Sequence, residues 1–312
     1  MTIEELNKLK KGSYLVLLPD ADYDIKDSVE YTFNNVIYLN FELSEEDANK
    51  IVDFVNNKGS KLIIFDWFEG YRLILPYISK KREVKWVYKN NLAGLTTGGV
   101  RATYTRIMEF YDRNIVKEIA CLDKATNEVL KKAGYRASHL LLDVKTKSRK
   151  NTLEKSIGLI GDDYNPNHNT YNQLSALKLI DYDYCKIVPN MPATKHFIDF
   201  FEIKAKEVHS REEALVDNEI NLYCNFTFNN MELILKSLDL GIPCLLGNTD
   251  IFDDYPKLKQ YLVLDSDDDI GEIANKINSI RENKDIILKE YAKYRKDYIK
   301  ESKKLVSNFL ER

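Results

Sequence analysis

Three polar residues stand between a short apolar run and a helical pattern in the second half of the chain. They are Thr227, Asn229 and Asn230, and they follow the apolar run at 219–226. The first backbone N–H groups of a helix have no partner inside the helix, so they bind phosphate groups readily. The next apolar run ends in the polar stretch 247–250. The pattern is typical of a diphosphate site, but a strand–helix–strand unit with an asparagine cap fits the spacing as well.

A histidine lies between two asparagines after another apolar run, at 156–162. The three residues are Asn167, His168 and Asn169, and a helical segment follows at 169–180. Such a histidine can donate a hydrogen bond to a phosphate, or it can cap the helix that it precedes. The residues alone leave both alternatives open.

Two loops of the first half carry side chains that suit contact with an acceptor such as a sugar or a base. The loop after the run at 60–66 combines carboxylates, aromatic rings and a guanidinium group, which favour stacking and hydrogen bonding. Its candidate residues are Asp66, Trp67, Glu69 and Arg72. Asp66 could instead cap a helix. The glycine-rich loop 90–99 opens a second helix, and its candidates are Gly98 and Arg101.

The carboxylates and cysteines of the sequence do not have the spacing of a metal site or of a disulfide framework. The acidic run 265–269 precedes a helix, and the helix dipole already explains carboxylates there, so we expect a cap and no metal site. The cysteines are widely spaced in apolar stretches. We therefore expect buried thiols at Cys121, Cys185, Cys224 and Cys244.

Size and charge limit the class of protein. A chain of 312 residues exceeds a single domain of about 100–200 residues, so two domains are expected. The formal net charge of −3 argues against binding of nucleic acid by bulk electrostatics. No apolar run approaches the roughly 20 residues that span a bilayer, and the N-terminal residues lack a signal-peptide pattern. We expect a cytoplasmic protein without stable membrane insertion.

Short β-branched and aromatic runs alternate with amphipathic segments in both halves. The predicted strands of the first half are 14–18, 35–41, 60–66, 83–89, 116–123 and 138–144. Those of the second half are 156–162, 184–189, 206–210, 219–226, 242–247 and 260–265. The main predicted helices are 44–59, with Ser44 as cap, 169–180, 230–241 and about 285–310. Apolar strands between helices indicate an α/β fold class with two doubly wound, Rossmann-like domains.

The charged segment 144–156 interrupts this alternation and is the predicted linker. We therefore expect an N-terminal domain at 1–150, a C-terminal domain at 151–284 and a terminal helix at 285–312. Ligands of doubly wound sheets bind outside the carboxyl ends of the strands, where the strand order reverses. The candidate loops follow predicted strands, as such a site requires.

The segment LYCNFTFNNMELILKSLDLGIPCLLGN, at 222–248, resembles the donor site of retaining GT-B glycosyltransferases, which include bacterial transferases acting on surface polysaccharides and proteins. The shared features are the LY-x-x-F opening, the SLDLGIPC helix end and the GN after the next strand. The segment 158–180 resembles the first strand and helix of the same domain in a subgroup of that family. The residues that carry this second likeness are His168, Asn169, Asn172 and Gln173.

The resemblance implies two Rossmann-like domains that face each other across a cleft, with the last helix crossing back to the first domain. Within that frame the candidate catalytic residues are His168, Asn229 and Lys236. The candidate donor-binding residues are Gly161, Asn167, Asn169, Thr227, Asn230, Met231, Glu232 and Asn248. The nucleotide sugar would be a substrate, so no cofactor and no metal are expected.

The chain departs from the family at two glutamates that many members carry in this segment with seven residues between them. The ungapped match places Phe228 and Lys236 there, whereas a shift by one helical turn would place Cys224 and Glu232. The arginine and lysine that clamp the diphosphate in many relatives also have no clear match. These departures leave the catalytic activity open.

The leading hypothesis is therefore a transferase that moves a sugar from a nucleotide sugar to a hydroxyl of a glycan, a protein or a modified DNA base, with retention. The alternative is a non-catalytic GT-B subunit that binds an acceptor or an active partner transferase. A nucleotide-sugar epimerase is a third alternative, although its glutamate and histidine signatures are not found. A homodimer and a position at the inner membrane face are also compatible with the resemblance.

Overall fold

The computed structural model describes residues 1–20, 25–40, 42–90, 92, 98–146, 155–161, 163, 166–226 and 230–311, with the backbone alone at 98–100 and 166. The chain forms two compact units, Met1–Val144 with Lys300–Arg312, and Lys145–Ile299. Residues 285–299 thus belong to the second unit, and only the end of the expected terminal helix belongs to the first. Most of the predicted linker, at 147–154, lies outside the described residues.

The first unit contains a parallel sheet in the order β2-β1-β3-β4-β5-β6. Its strands are β1 (Leu15–Pro19), β2 (Val36–Leu39), β3 (Lys61–Phe65), β4 (Glu83–Tyr88), β5 (Val116–Cys121) and β6 (Ala137–His139). Leu17 pairs with Ile37 on one side and with Ile64 on the other. The strand order therefore reverses between β1 and β3, so the loop after β3 borders a crevice.

Helices cover both faces of this sheet. They are α1 (Lys26–Thr32), α2 (Glu45–Asn57), α3 (Gly98–Asp112) and α4 (Lys124–Lys132). Ser44 caps α2, as predicted, because its hydroxyl accepts from the Asp47 N–H at 3.1 Å. The core on one face contains Trp86 of β4. The core on the other face contains Val29 of α1 and Phe309 near the C-terminus.

Buried charges bind the end of the last helix to the first sheet. The fully buried Lys85 donates to the carbonyl oxygen of Phe309 at 2.5 Å, and Lys61 donates to that of Leu310 at 2.5 Å. Terminal carbonyl groups carry the negative end of the helix dipole and attract cations. Glu118 lies 3.2 Å from Lys85 and compensates its charge. Burial nevertheless lowers the pKa of Lys85, more strongly than the carboxylates raise it.

The second unit contains a parallel sheet in the order β11-β10-β7-β8-β9. Its strands are β7 (Ser156–Leu159), β8 (Tyr184–Ile187), β9 (Ala205–Glu207), β10 (Ile220–Tyr223) and β11 (Cys244–Leu246). The two parallel α/β sheets confirm the predicted fold class. The strand predicted at 260–265 is wrong, because Pro256–Leu262 forms a helix and Val263 makes one isolated bridge to Leu246. Proline at the helix start and Leu258 and Leu262 four residues apart favour that helix.

The helices of the second unit are α5 (Thr170–Ala176), α6 (Pro192–Phe200), α7 (Arg211–Leu215), α8 (Met231–Asp239), α9 (Pro256–Leu262) and most of α10 (Ile270–Glu311). Asn283 interrupts α10 with a φ of −117°, so α10 consists of two helical stretches. The first is the helix expected after the acidic run 265–269, and the second agrees with the helix predicted at about 285–310. In the described part of the chain, no helix has the length and apolar character that a bilayer crossing requires.

The four cysteines are buried free thiols, as predicted. Burial raises the pKa of Cys121 to about 12, with a smaller contribution from Asp123. The pKa values of the other three thiols are raised as well, chiefly because burial disfavours a thiolate. The four thiols are therefore neutral and pack as apolar side chains in the core.

Candidate functional site

The strand order of the second sheet reverses between β7 and β10. The chain runs from β7 through β8 to β9 on one side, and then returns to place β10 and β11 on the other. In such sheets the ligand crevice lies outside the carboxyl ends of the two strands at the reversal. Most of the predicted donor-binding residues follow β7 or β10, so the topology gathers them at this crevice.

The loop after β7 contains His168 in a short helical turn, Pro166–His168. The imidazole is buried, and it lies beside Gly161, where an added Cβ would come within 3.2 Å of the His168 Cβ. The glycine therefore leaves room for the histidine ring. Asn169 adopts a left-handed backbone, with a φ of 54°, which asparagine tolerates better than most residues. Its side-chain amide donates to the Asp267 carbonyl oxygen at 2.5 Å.

The loop after β10 leads into α8. The predicted site residues Thr227 and Asn229, and Phe228 between them, lie outside the described residues. Asn230 caps α8, because its side-chain oxygen accepts from the Glu232 N–H at 2.9 Å. The Asn230 N–H donates to the Tyr223 hydroxyl at 3.3 Å. The asparagine cap that the spacing left open is thus present, and it fixes the start of the helix next to the crevice.

Direct hydrogen bonds join the two loops. The Phe226 N–H donates to the Asn167 carbonyl oxygen at 2.8 Å. Gln173 of α5 donates to the His168 carbonyl oxygen at 2.6 Å and accepts from the Cys224 N–H at 3.3 Å. The rings of His168 and Tyr223 lie 6.2 Å apart between centroids. The structure therefore brings the predicted residues after β7 next to the loop of β10.

Glu232 and Lys236 form an ion pair within α8. Lys236 Nζ lies 2.7 Å from Glu232 Oε1, and the two side chains are only 14% and 3% exposed. The cation at one family glutamate position therefore carries its own counter-ion, and the pair as a whole is neutral. Met231, the first residue of α8, is half-buried at the same helix start.

Asn248 follows β11 and is held by the acidic run. Its backbone N–H donates to the Asp267 carboxylate, and its side-chain amide donates to the Asp265 carbonyl oxygen at 3.3 Å. Burial raises the pKa of Asp267, although the hydrogen bond from Asn248 opposes the shift. Asp269 confirms the predicted cap, because it accepts from the Glu272 N–H at 2.9 Å at the start of α10.

Among the described residues, no group of three or more His, Cys, Asp or Glu side chains could hold a metal ion.

In the first unit, Asp66 follows β3 at the reversal of the strand order. It has a left-handed backbone with a φ of 44°, and its carboxylate lies 3.4 Å from Lys89 Nζ. The helical turn that follows, Glu69–Leu73, begins after Phe68. The alternative role of Asp66 as a helix cap is therefore wrong, because Asp66 stands too early and pairs with a cation instead.

Glu69 is the centre of a small charged cluster on that loop. Its carboxylate lies 2.7 Å from Arg72 and 3.1 Å from Arg106, and it accepts from the Trp67 indole N–H at 3.2 Å. The Trp67 ring stacks on Phe110 of α3, with centroids 6.1 Å apart. Three of the four predicted residues of this loop thus form one group, in which Glu69 and Arg72 are exposed and Trp67 is half-buried.

The glycine-rich loop places its two candidates on α3. Gly98 is the first residue of that helix, and Arg101 is exposed one turn later. Residues 93–97 of the loop lie outside the described residues.

Sequence reasoning missed two residues that the structure places beside the candidates. Arg106 reaches the Glu69 cluster from α3, and a distance of 37 positions along the chain gives no local signal for that contact. Gln173 appeared only as part of a resemblance, and its links to His168 and Cys224 depend on the packing of α5. The spacing of Glu232 and Lys236, in contrast, is an i, i+4 pair that the sequence alone could have indicated.

Comparison with solved structures identifies proteins that share the fold of this chain. No family model matches the chain, and no curated protein matches it. Among solved structures, TarM is 13% identical with a TM-score of 0.63, and the match covers 85% of this chain and 58% of that one. The pneumococcal O-GlcNAc transferase GtfA, in complex with UDP and GlcNAc, is 11% identical with a TM-score of 0.56, covering 86% and 60%.

A sucrose-phosphate synthase from Thermosynechococcus elongatus is 8% identical with a TM-score of 0.63, and the match covers 96% of this chain and all of that one. These neighbours are GT-B glycosyltransferases, and the chain shares their fold. It spans 58% of the length of TarM and 60% of that of GtfA.

Proposed function

We propose that the chain is a glycosyltransferase that moves a sugar from a nucleotide-sugar donor to an acceptor hydroxyl, with retention of configuration. The fold shared with GT-B glycosyltransferases supports an enzyme of this class. The observation that carries the proposal is the hydrogen bond from Phe226 to Asn167, which joins the β10 and β7 loops. It brings a helix start and a histidine to the crevice where such sheets bind nucleotides.

The diphosphate of the donor is proposed to lie at the start of α8. The backbone N–H groups near Met231 and the positive end of the helix dipole favour an anion there. His168 would donate a hydrogen bond to the departing phosphate oxygen, and Asn167, Asn169 and Asn248 would contact the rest of the donor. Donor contacts from Thr227 and Asn229, which lie outside the described residues, remain a prediction from the sequence.

A retaining transfer asks two things of the protein. The charge that develops on the departing diphosphate must be stabilised, and the acceptor hydroxyl must be held near the anomeric carbon. We propose that His168 and the helix amides stabilise the charge, because Lys236 is already neutralised by Glu232. The acceptor, a glycan, a protein or a modified DNA base, is proposed to bind the Glu69 cluster of the first unit.

A ligand screen followed by a product assay tests this proposal. UDP-sugars are the first donors to screen, because GtfA binds UDP. A donor at 100 times its Kd should stabilise the protein by about 2.7 kcal/mol in thermal unfolding. Any donor that binds is then incubated with acceptor glycans, peptides and modified DNA, and NMR of the product gives its anomeric configuration. Absence of any thermal shift with nucleotide sugars would exclude the proposal, and an inverted product would exclude retention.

The Glu232–Lys236 pair favours a second candidate function, a non-catalytic subunit that binds an acceptor or an active partner transferase. Such a subunit would keep the crevice while its α8 cation is neutralised. It would form no product by itself, and transfer would need the active partner. Turnover by the purified chain alone would exclude this second function.

A further inference from the structure

Gln173 lies in the first turns of α5, directly behind the two loops of the crevice. Its side chain is 2% exposed, and both ends of its amide are used. The nitrogen donates to the His168 carbonyl oxygen at 2.6 Å, and the oxygen accepts from the Cys224 N–H at 3.3 Å. A single buried side chain therefore connects the turn that carries His168 with the end of β10.

The position of this amide follows from the way that β7 and β10 separate. The strands pair from Ile220 with Ile157 to Leu222 with Leu159, and the Ile160 N–H donates to Leu222 at 3.2 Å. In a continued parallel ladder, the next N–H, that of Cys224, would donate to the Ile160 carbonyl oxygen. It donates to Gln173 instead. The glutamine oxygen thus takes the place of the next backbone acceptor where the two strands diverge.

We propose that Gln173 is a positioning residue for the donor crevice. It sets the separation of the β7 and β10 loops and holds the backbone of His168 in the orientation that donor binding needs. The assignment rests on the proposed function for its consequence in donor binding, whereas the link between the loops stands on the geometry alone. The Phe226–Asn167 hydrogen bond lies farther along the same two loops and depends on the same separation.

Glutamine is the side chain that this place requires. The amide offers a donor and an acceptor on one planar group, whereas an ionised carboxylate offers acceptors alone. A carboxylate at this position would face the His168 carbonyl oxygen with no proton to share. Asparagine is one methylene group shorter, so it would not reach both partners from α5.

Two variants and a control test the assignment. Gln173→Met keeps the approximate size of the side chain and removes both hydrogen bonds. Gln173→Glu keeps the acceptor for Cys224 and regains the donor for His168 only when the introduced carboxyl group is protonated. Gln260→Glu makes the same chemical change on the exposed surface of α9.

The first readout is independent of any donor. Amide hydrogen exchange at Cys224 and Phe226, measured by NMR, should accelerate in Gln173→Met and remain as in the wild type in Gln260→Glu. Unchanged exchange at both amides in Gln173→Met would overturn the proposal. This result does not depend on whether a nucleotide sugar binds.

The second readout is donor affinity as a function of pH. Loss of a buried hydrogen bond and desolvation of its partner should weaken donor binding about tenfold in Gln173→Met at every pH. In Gln173→Glu the affinity should be low at pH 8 and recover as the pH falls, because burial raises the pKa of a carboxyl group. The wild type and Gln173→Met are measured over the same range, since His168 and Cys224 are also titratable neighbours.

The outcomes separate this proposal from the proposed function. If the wild type binds no nucleotide sugar, the proposed function fails, and the exchange data still decide whether Gln173 joins the two loops. If the wild type binds a donor and Gln173→Met binds it equally well with fast exchange, the glutamine is structural and the positioning role is refuted.

Discussion

The ammonium group of Lys236 lies 2.7 Å from the carboxylate of Glu232, one helical turn away on α8. Both side chains are largely withdrawn from water. The attraction between two charges in this setting is largely offset by the hydration that both lose, so the intact pair contributes little net stability. Because the pair is neutral as a whole, α8 presents its amides and its dipole, rather than a lysine, to an anion in the crevice.

Replacement of one member of the pair should lower the free energy of unfolding much more than replacement of both members. Lys236→Met leaves the buried carboxylate without its cation and should lower the free energy of unfolding by about 3 kcal/mol. The double variant Glu232→Leu with Lys236→Met should lie within about 1 kcal/mol of the wild type, because apolar side chains of similar size replace both charges. Urea unfolding of the wild type, both single variants and the double variant gives the coupling energy. Additive single and double effects would contradict a coupled pair.

Gly161 is expected to control the position of the His168 ring. In Gly161→Ala the new Cβ would lie 3.2 Å from the His168 Cβ, which cannot move without the helical turn that carries it. Donor affinity should therefore fall about tenfold, while the free energy of unfolding falls by only about 1 kcal/mol. Calorimetric titration with the donor and urea unfolding measure the two quantities.

A matched glycine serves as the control for Gly161→Ala. Gly271 would also bring a Cβ to 3.2 Å from a neighbour, but that neighbour is the Asp269 carboxylate that caps α10 and not a residue of the His168 turn. Gly271→Ala should therefore lower the free energy of unfolding by no more than a helix cap contributes, about 1 kcal/mol, and leave donor affinity unchanged. An equal loss of donor affinity in both variants would show that the effect of Gly161→Ala is not specific to His168.

Local patterns predicted most of the fold. Eleven of the twelve predicted strands correspond to β1–β11, because β-branched runs bounded by turn residues are strong local signals. The segment 260–265 was mistaken because Tyr261, Leu262 and Val263 form an apolar run, whereas Pro256 and the spacing of Leu258 and Leu262 favour a helix. The helix expected after the acidic run and the helix predicted at about 285–310 correspond to the two stretches of α10 on either side of Asn283.

In the candidate site, too, local features were predictable from the sequence and contacts between distant segments were not. Residues that follow a strand or precede a helix were identified from the sequence, and the topology brings His168, Asn167 and Asn230 together at one crevice. Contacts between distant segments were not predictable, since nothing in the sequence near Gln173 indicates that its amide bonds to Cys224. The sequence shows Asp267 within the acidic run, but the hydrogen bond that its carboxylate accepts from the Asn248 N–H depends on how the loop before α10 packs beside β11.

Arg106 should affect acceptor use without affecting the donor. It contributes one of the two guanidinium groups on Glu69, and it lies over the Trp67 ring at 5.6 Å. Because the cluster is exposed, Arg106→Gln should change the free energy of unfolding by less than about 1 kcal/mol. If the Glu69 cluster holds the acceptor, kcat/KM for the acceptor should fall about tenfold while the Kd of the donor stays constant.

Arg113 of the same helix region provides the comparison for Arg106. It is exposed and lies over the Phe110 ring at 5.7 Å. Arg113→Gln should leave transfer to the acceptor unchanged. Equal losses in Arg106→Gln and Arg113→Gln would remove the Glu69 cluster from the proposed acceptor site.

Asp267→Asn should be more stable than the wild type at neutral pH. Burial raises the pKa of Asp267 above 3.8, the ordinary value of an aspartate, so the folded protein binds protons more readily than the unfolded chain between the unfolded-state pKa and the folded-state pKa. Stability of the wild type therefore falls as the pH rises through the folded-state pKa, and the penalty is fully present above it. The asparagine oxygen can still accept from the Asn248 N–H, which preserves the contact. Because Asp267 is half-exposed, the gain should stay below about 1 kcal/mol.

The advantage of Asp267→Asn should disappear as the pH falls below about 3.8, because the wild-type carboxyl group is then protonated in both the folded and the unfolded states. Urea unfolding of both proteins from pH 3 to pH 8 measures this difference. Asp268→Asn removes the same charge from an exposed neighbour whose repulsion raises the pKa of Asp267 less than burial does, so its pH-dependent gain should be clearly smaller. A gain from Asp267→Asn that is constant with pH would refute the assigned cause.

At neutral pH, Asp267→Asn should also tighten binding of an anionic donor, because it removes a negative charge beside Asn248. Calorimetric titration at low and high salt would measure that electrostatic effect.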